Sequence, residues 1–167
     1  ISSEAIGEIT RQAATFDGYN DSISIGSAAV WDAIIGDDTV GGSTKKMSFS
    51  IWIYKAADGE GGLGRIFDFG NSDIFLYSTS TEILAFSVRL NGSLTEWRTD
   101  ASYFNLNEWT HIVVTYDATD TANNNPVIYV NGQSRTVAHV GSSAAKHASF
   151  SGIATEACFI GNRNAED

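Results

Sequence analysis

Apolar and polar residues alternate with a period of two along most of this chain, a pattern typical of half-buried β-strands. The clearest run is Trp109–Asp117, and residues 47–54 carry Met, Phe and Ile on one face and Ser, Trp and Tyr on the other. Further short strands are predicted at residues 13–16, 22–25, 65–69, 74–78, 83–90, 94–99, 127–132, 134–138 and 157–160. Residues 28–35 instead have the spacing of a short helix.

Two Asn-Gly pairs fall between predicted strands, Asn91-Gly92 and Asn131-Gly132. Both positions of such a pair tolerate positive φ, so each pair predicts a two-residue hairpin turn. Many short strands, little helix and a single proline indicate an all-β fold of two antiparallel sheets packed face to face.

Composition limits the classes of function. The chain has 167 residues, enough for one domain, and 43% of them are hydrophobic. Only 18% are charged, yet the net charge is −10, so nucleic acid and anionic membranes are not expected partners. No apolar run approaches the roughly 18 residues of a membrane-spanning helix, so membrane insertion is not expected. The single Cys158 excludes an internal disulfide and is predicted to be a small buried hydrophobe.

Five short motifs occur in an order that resembles one known family. They are Phe16-Asp17-Gly18 with Asp21-Ser22-Ile23, then Phe49–Ile53, Trp109–Asp117, Ile128–Gly132 and Phe159–Asn162. Together they resemble a laminin-G-like domain of the concanavalin A-like lectin/glucanase superfamily. The resemblance implies a concanavalin A-like jelly-roll sandwich over residues 13–167, with residues 1–12 as a linker or edge segment.

The resemblance also bears on the ends of the chain. In the family a closing strand follows the last motif and pairs near the first strand, whereas this sequence stops at Asp167. We therefore expect a fragment that lacks its closing strand and leaves residues 13–16 beside an open edge. A continuation of the chain or a neighbouring subunit is expected to supply the missing strand.

The sequence does not support catalysis. The glucanases of the superfamily place two glutamates on one strand, at the separation that retaining hydrolysis needs, and no such pair occurs here. The three histidines lack metal-ligand spacing. His111 is predicted to be a packed or hydrogen-bonded histidine of a sheet, and Trp109 to be structural.

A calcium site is the stronger chemical hypothesis. Asp17, Asn20 and Asp21 cluster in the first turn, and Ca²⁺ takes six to eight oxygen ligands from such groups. The resemblance adds that the family often holds a structural calcium there. The alternative is a turn in which Asp and Asn side chains only cap their own backbone.

Aromatic residues on a sheet face are candidates for stacking on sugar rings. Trp97, Trp52 and Tyr54 are the candidate ligand-binding aromatics, and Arg89 is a candidate polar partner. Trp97 is chosen because Glu96 and Arg98 flank it. Trp52 has core packing as its alternative, since both faces of a sandwich strand are often covered.

Two functions follow from these residues and from the resemblance. The first is a non-catalytic recognition or adhesion module that binds carbohydrate or a protein surface, outside the cell or on its surface. The alternative is a structural or decoration domain of a virion, such as a phage capsid or tail, or of a surface assembly. In that case its partners are other domains or subunits.

Overall fold

The computed structural model describes residues 13–18, 21–35, 45–59, 62–69, 73–90, 93–141 and 157–161. In these ranges the strands are β1 (Ser22–Ile25), β2 (Lys46–Tyr54), β3 (Leu63–Phe69), β4 (Ile74–Thr79), β5 (Leu84–Leu90), β6 (Ser93–Thr99), β7 (Trp109–Asp117), β8 (Val127–Val130), β9 (Gln133–Arg135), β10 (Val137–Val140) and β11 (Cys158–Gly161). Helix α1 (Ala28–Ile35) follows β1, and a short 3₁₀ helix (Ala118–Asp120) follows β7. The predicted helix is confirmed.

The strands form two sheets of unequal size. The larger sheet has seven strands in the order β1-β11-β3-β4-β5-β6-β10, and the smaller has four in the order β2-β7-β8-β9. Every recorded strand pair is antiparallel. The predicted all-β, two-sheet antiparallel sandwich is therefore confirmed.

The core lies between the two sheets and is built from the inward-facing residues of each strand. Its largest fully buried side chains are Trp97, Phe69, Phe86, Phe104, Ile35, Ile74, Leu76, Leu84, Leu90, Ile112 and Ile128. Cys158 belongs to the same core, and burial raises the pKa of its thiol to about 12. The thiol is thus a buried, protonated hydrophobe, as the sequence predicted.

On the smaller sheet, buried and exposed residues alternate as the sequence predicted. Along β7, Thr110, Ile112, Val114 and Tyr116 are buried, while the residues between them are exposed or half-buried. On β2 the serines, Trp52 and Tyr54 face solvent. The hairpin turn after β8 has Asn131 at φ 51° and Gly132 at φ 78°, as a two-residue turn of this kind requires.

Two predicted strands are corrected by the structure. Residues 13–16 are not a strand: residues 13–15 are exposed, and no described strand pairs with them. They are therefore not the strand beside an open edge. Residues 134–138 are not one strand but parts of two, because the chain turns at Thr136 and passes from the smaller sheet to the larger.

Phe16 nevertheless anchors this first segment to the sandwich. Gly161, at the end of β11, has φ +96°, and a Cβ added there would lie 2.6 Å from the ring of Phe16 and 2.8 Å from the carbonyl oxygen of Asp21. The glycine thus lets an aromatic ring rest directly on the backbone of β11. The first and last sequence motifs meet at this contact.

Replacing Gly161 by Ala should therefore destabilise the fold more than the same change at Gly132. Both glycines have positive φ, so both variants carry a backbone strain of about 1–2 kcal/mol. Only at Gly161 does the new methyl group collide with a neighbour, since nothing lies within 4 Å of the Cβ position at Gly132. Urea unfolding of the two variants measures the difference, and equal losses would contradict the Phe16 contact.

Candidate functional site

The solvent-facing side of the smaller sheet carries a group of exposed aromatic rings. Trp52 is 62% exposed, Tyr54 is 47% exposed and Trp109 is 52% exposed. His111, half-buried, completes the group, which we call the aromatic platform. Contiguous exposed apolar surface is uncommon on soluble domains and marks interaction sites, so this face is the candidate functional site.

The register of β2 and β7 brings the four rings together in two rows. Tyr54 lies opposite Trp109 with ring centroids 5.7 Å apart, and Trp52 lies opposite His111 with centroids 4.9 Å apart and planes 22° from parallel. Cross-strand aromatic pairs of this kind stabilise a sheet and restrict the side-chain rotamers. The platform is thus a preformed surface.

Hydrogen bonds hold the second row in place. Nε2 of His111 lies 2.9 Å from Oγ of Ser50, and the backbone N–H of His111 donates to Oδ1 of Asn131 at 2.9 Å. The predicted hydrogen-bonded sheet histidine is confirmed. These contacts place polar atoms beside the rings, so the platform combines flat apolar surface with hydrogen-bonding groups.

A polar cleft lies at the other end of β2 and β7. Its volume is about 400 Å³, and it is lined by Lys46, Met47, Ser48, Thr115, Tyr116, Asp117, Asn123, Asn124, Asn125 and Val127. Nζ of Lys46 is 2.9 Å from Oδ2 of Asp117. The hydroxyl of Thr119, then Lys46 and the backbone N–H of Thr119 lower the pKa of Asp117 to about 2. The cleft therefore contains a fixed carboxylate that is ionised at neutral pH.

The sequence matches a laminin-G family model, described as the concanavalin A-like lectin/glucanases superfamily, over residues 17–167. The chain belongs to this superfamily. A search among curated proteins finds no match to this concanavalin A-like chain.

Several solved structures are similar to this concanavalin A-like domain. A native heptameric SAP-like pentraxin from Limulus polyphemus is 15% identical, with a TM-score of 0.46 over 70% of this chain and 52% of the pentraxin. A botulinum neurotoxin type C structure, whose cell entry is described as dependent on two ganglioside molecules, is 17% identical with a TM-score of 0.46, covering 73% of this chain and 29% of the toxin. The CBM40 of Ruminococcus gnavus IT-sialidase, bound to alpha2,6 sialyllactose, is 10% identical with a TM-score of 0.44, covering 89% and 93%. The chain thus spans about half the length of the pentraxin.

Trp97 lies in the core of this concanavalin A-like domain and not on a ligand-binding surface. It was predicted to bind ligand, but it is 0% exposed and packs in the core against Tyr116 at 5.2 Å between ring centroids. Its Nε1–H donates to Oδ1 of Asn125 at 2.9 Å. The reason is the period of the strand: Glu96 and Arg98 point away from the core, so the residue between them points into it.

Arg89 is on the wrong sheet for the predicted site. It lies on β5 in the larger sheet, where its Nε is 3.0 Å from Oδ1 of Asp73. Trp52 and Tyr54 lie on the outer face of the smaller sheet. The structure therefore brings Trp52 and Tyr54 together as predicted but separates them from Arg89 and Trp97.

Trp109 is a platform ring whose exposure the sequence analysis did not predict. It was predicted to be structural, yet it is half-exposed and adjoins Tyr54. The signal was present in the alternation, because Trp109 shares its face of β7 with His111 rather than with buried Ile112. A face assignment applied to every residue of β7 would have placed it on the platform.

The predicted calcium ligands are partly described. Oδ2 of Asp21 accepts a hydrogen bond from the backbone N–H of Asp17 at 3.0 Å, which is the turn-capping arrangement. Asn20 lies outside the described residues. Within the described residues no group of three or more His, Cys, Asp or Glu is placed to hold a metal ion. Two carboxylates do not fill a calcium shell, so the site stays a prediction that depends on Asn20 and on further oxygens.

The helices were compared with the length and hydropathy that a membrane-spanning helix needs. Among the residues that the structure describes, no helix is both long and apolar enough to cross a bilayer.

If the first turn binds calcium, a chelator should lower the melting temperature, because a ligand that binds only the folded state stabilises it. Asp17→Ala should remove that dependence. Glu108→Ala, which deletes one negative charge in the β6–β7 connection, should retain it. A wild-type melting curve that is unchanged by chelator, measured by differential scanning calorimetry, would exclude the site.

The Asp117 carboxyl should titrate near pH 2, well below the ordinary value of 3.8. Because this pKa is lowered on folding, the contacts stabilise the fold above about pH 4 and their contribution is lost as the pH falls through about 2. Thr119→Val should raise the pKa more than Lys46→Ala, since the Thr119 hydroxyl is the largest cause. NMR titration of the carboxyl carbon in the three proteins tests this order.

Proposed function

We propose that this concanavalin A-like domain is a non-catalytic recognition module that binds carbohydrate through the aromatic platform, outside the cell or at its surface. The observation that carries the proposal is the adjacency of three large, half-exposed aromatic rings on one sheet face. Rings held in this way lose little conformational entropy when a ligand covers them, which favours binding.

The chemistry of the platform suits a sugar ring. A pyranose has an apolar face of C–H groups and a rim of hydroxyls, so it stacks on an indole or phenol and hydrogen-bonds at its edges. The platform offers Trp52, Tyr54 and Trp109 for stacking, and Ser50 with His111 for hydrogen bonds. The platform residues include no carboxylate and no Lys or Arg, which favours a neutral part of a glycan.

Non-catalytic function is supported by the ion pairs and hydrogen bonds that the acidic residues of the larger sheet make. On its outer face Asp68 is paired with Arg65, and Glu96 is paired with Arg98. Glu96 also accepts hydrogen bonds from the hydroxyls of Tyr77 at 2.7 Å and Ser87 at 3.0 Å. Both carboxylates are thus engaged by neighbouring side chains of the same sheet.

An assembly role is the second candidate, because exposed aromatic surface also serves protein–protein contact. In that case the platform of the domain is covered by another subunit of a virion or surface structure.

Alanine replacement of a platform ring should separate these functions. A glycan array of neutral and sialylated oligosaccharides first identifies a bound sugar, and calorimetric titration with that sugar follows. Trp52→Ala or Trp109→Ala should weaken binding by about 1–2 kcal/mol, a loss of roughly five- to thirtyfold in affinity. Leu94→Ala, at an apolar residue of the larger sheet that is also exposed, should leave the affinity unchanged.

Two results would count against carbohydrate binding by the platform. The first is a folded wild type that binds no sugar on the array, which favours the assembly role. The second is equal loss of affinity in Leu94→Ala and Trp52→Ala, which would place the sugar elsewhere. Hydrolysis of any bound oligosaccharide by the wild type would contradict the non-catalytic part.

A further inference from the structure

The outward residues of β2 and β7 form one continuous surface along the smaller sheet. The register pairs them in five facing rows, which we call the outer strip: Tyr54 with Trp109, Trp52 with His111, Ser50 with Val113, Ser48 with Thr115, and Lys46 with Asp117. The aromatic platform occupies the first two rows, and the last two rows line the polar cleft. Eight residue steps of about 3.3 Å give the strip a length of roughly 26 Å, so it is several times longer than a sugar ring.

The middle of the outer strip is low and partly polar. Ser48 and Ser50 are exposed on β2, and Val113 and Thr115 are half-buried on β7. Tyr129 of β8 lies opposite Val113 in the register and borders the strip on one side. A ligand that stacks on the platform and continues toward the cleft therefore crosses only small side chains of β2 and β7.

One wall of the polar cleft is a loop that hydrogen bonds hold in place. Nδ2 of Asn124 donates to the carbonyl oxygen of Asp117 at 3.0 Å, and the backbone N–H of Asn124 donates to the carbonyl oxygen of Asp120 at 2.8 Å. Oδ1 of Asn125 accepts a hydrogen bond from the buried indole of Trp97 at 2.9 Å, which ties the loop to the core. The cleft is thus formed before a ligand arrives, and binding there costs little conformational entropy.

The charges of the outer strip cancel. Its Lys and its Asp are Lys46 and Asp117, which form an ion pair with 2.9 Å between Nζ and Oδ2, whereas the whole chain carries a net charge of −10. The acidic protein repels an anionic polymer, and the strip has no net positive charge to offset that repulsion. Hydroxyl, carboxylate and amide groups hydrogen-bond readily to sugar hydroxyls. The strip therefore suits an uncharged chain that is rich in hydroxyls.

We propose, on the basis of the proposed carbohydrate binding, that the glycan site runs the length of the outer strip and takes a linear, uncharged oligosaccharide of several units. Sugar faces stack on the platform at one end, and the hydroxyls of later units form hydrogen bonds in the polar cleft at the other. Ser48 and Thr115 supply hydroxyls along the path, and Lys46, Asp117 and Asn125 supply polar groups at its end. The domain thus recognises a stretch of chain rather than a single sugar.

Calorimetric titration with oligomers of increasing length tests the extent of the site. The probes are β-1,4-linked oligomers of glucose and of N-acetylglucosamine, from the dimer to the hexamer, and the same lengths of any other neutral linear glycan bound on the array. Affinity should rise about tenfold or more from dimer to hexamer, because the added units form hydrogen bonds in the cleft. Equal affinity for dimer and hexamer overturns the proposal.

Variants along the outer strip separate contacts in the cleft from the larger number of binding positions that a longer chain offers. Ser48→Ile puts a branched side chain across the path, and Lys46→Ala removes an ammonium group from the cleft. Each should weaken binding of the hexamer about three- to tenfold, the effect of one or two hydrogen bonds, and leave the dimer unchanged. Trp52→Ala should weaken both oligomers. Ser24→Ile, at an exposed serine of β1 in the larger sheet, should weaken neither.

An NMR measurement on the wild type keeps the test decisive if a variant does not fold. The hexamer should shift the amide resonances of Thr115 and Asn124 in the cleft as well as those of the platform. The dimer should shift only the resonances around Trp52 and His111. Shifts that stay confined to the platform when the hexamer is bound show that the site ends at the rings, and they overturn the proposal.

The outcomes distinguish this inference from the proposed function. Hexamer binding that depends on Trp52 but not on Ser48 or Lys46 overturns the long site and leaves carbohydrate binding by the platform intact. Binding of only branched or sialylated glycans on the array overturns the linear, uncharged ligand alone. A folded wild type that binds no glycan overturns both.

Discussion

The unbroken register of β2 and β7 is the constraint on which the rest of the sandwich depends. It runs from Lys46 opposite Asp117 to Tyr54 opposite Trp109. Because side chains alternate between faces, a shift of one residue would move Phe49, Ile51 and Ile53 out of the core and bury polar side chains. The same register sets the aromatic pairs at 4.9 and 5.7 Å. Core packing and the candidate binding surface are therefore fixed by one set of backbone hydrogen bonds.

Most strands could be predicted because a half-buried strand alternates apolar residues, which face the core, with polar residues, which face solvent. The outward positions of Trp52 and Tyr54 followed directly from that alternation. Trp97 was assigned wrongly because its polar neighbours were treated as its environment. In a strand those neighbours point to the opposite face, so Glu96 and Arg98 indicate that Trp97 is buried. The period identifies the two faces, and the larger number of apolar residues identifies the inner one.

Other features depend on partners that are distant in sequence, and local patterns do not contain them. A segment forms a β-strand only where another strand is hydrogen-bonded to it. Among the described strands, none pairs with residues 13–16. Residues 134–138 divide between two sheets because each half has a different neighbour, β8 or β6. For the same reason, the sequences of β5 and β2 alone do not show that Arg89 and Trp52 belong to different sheets.

The aromatic platform owes its shape to the same two strands that carry the core. Trp52 and Tyr54 are held opposite His111 and Trp109 by the register of β2 and β7, so the rings are positioned before any ligand arrives. A surface that is already ordered loses little conformational entropy on binding. Because the inward residues of β2 and β7 pack on the core, a substitution that shifts either strand there would also move the rings on the outer face. Stability of the sandwich and shape of the candidate binding surface are therefore coupled through β2 and β7.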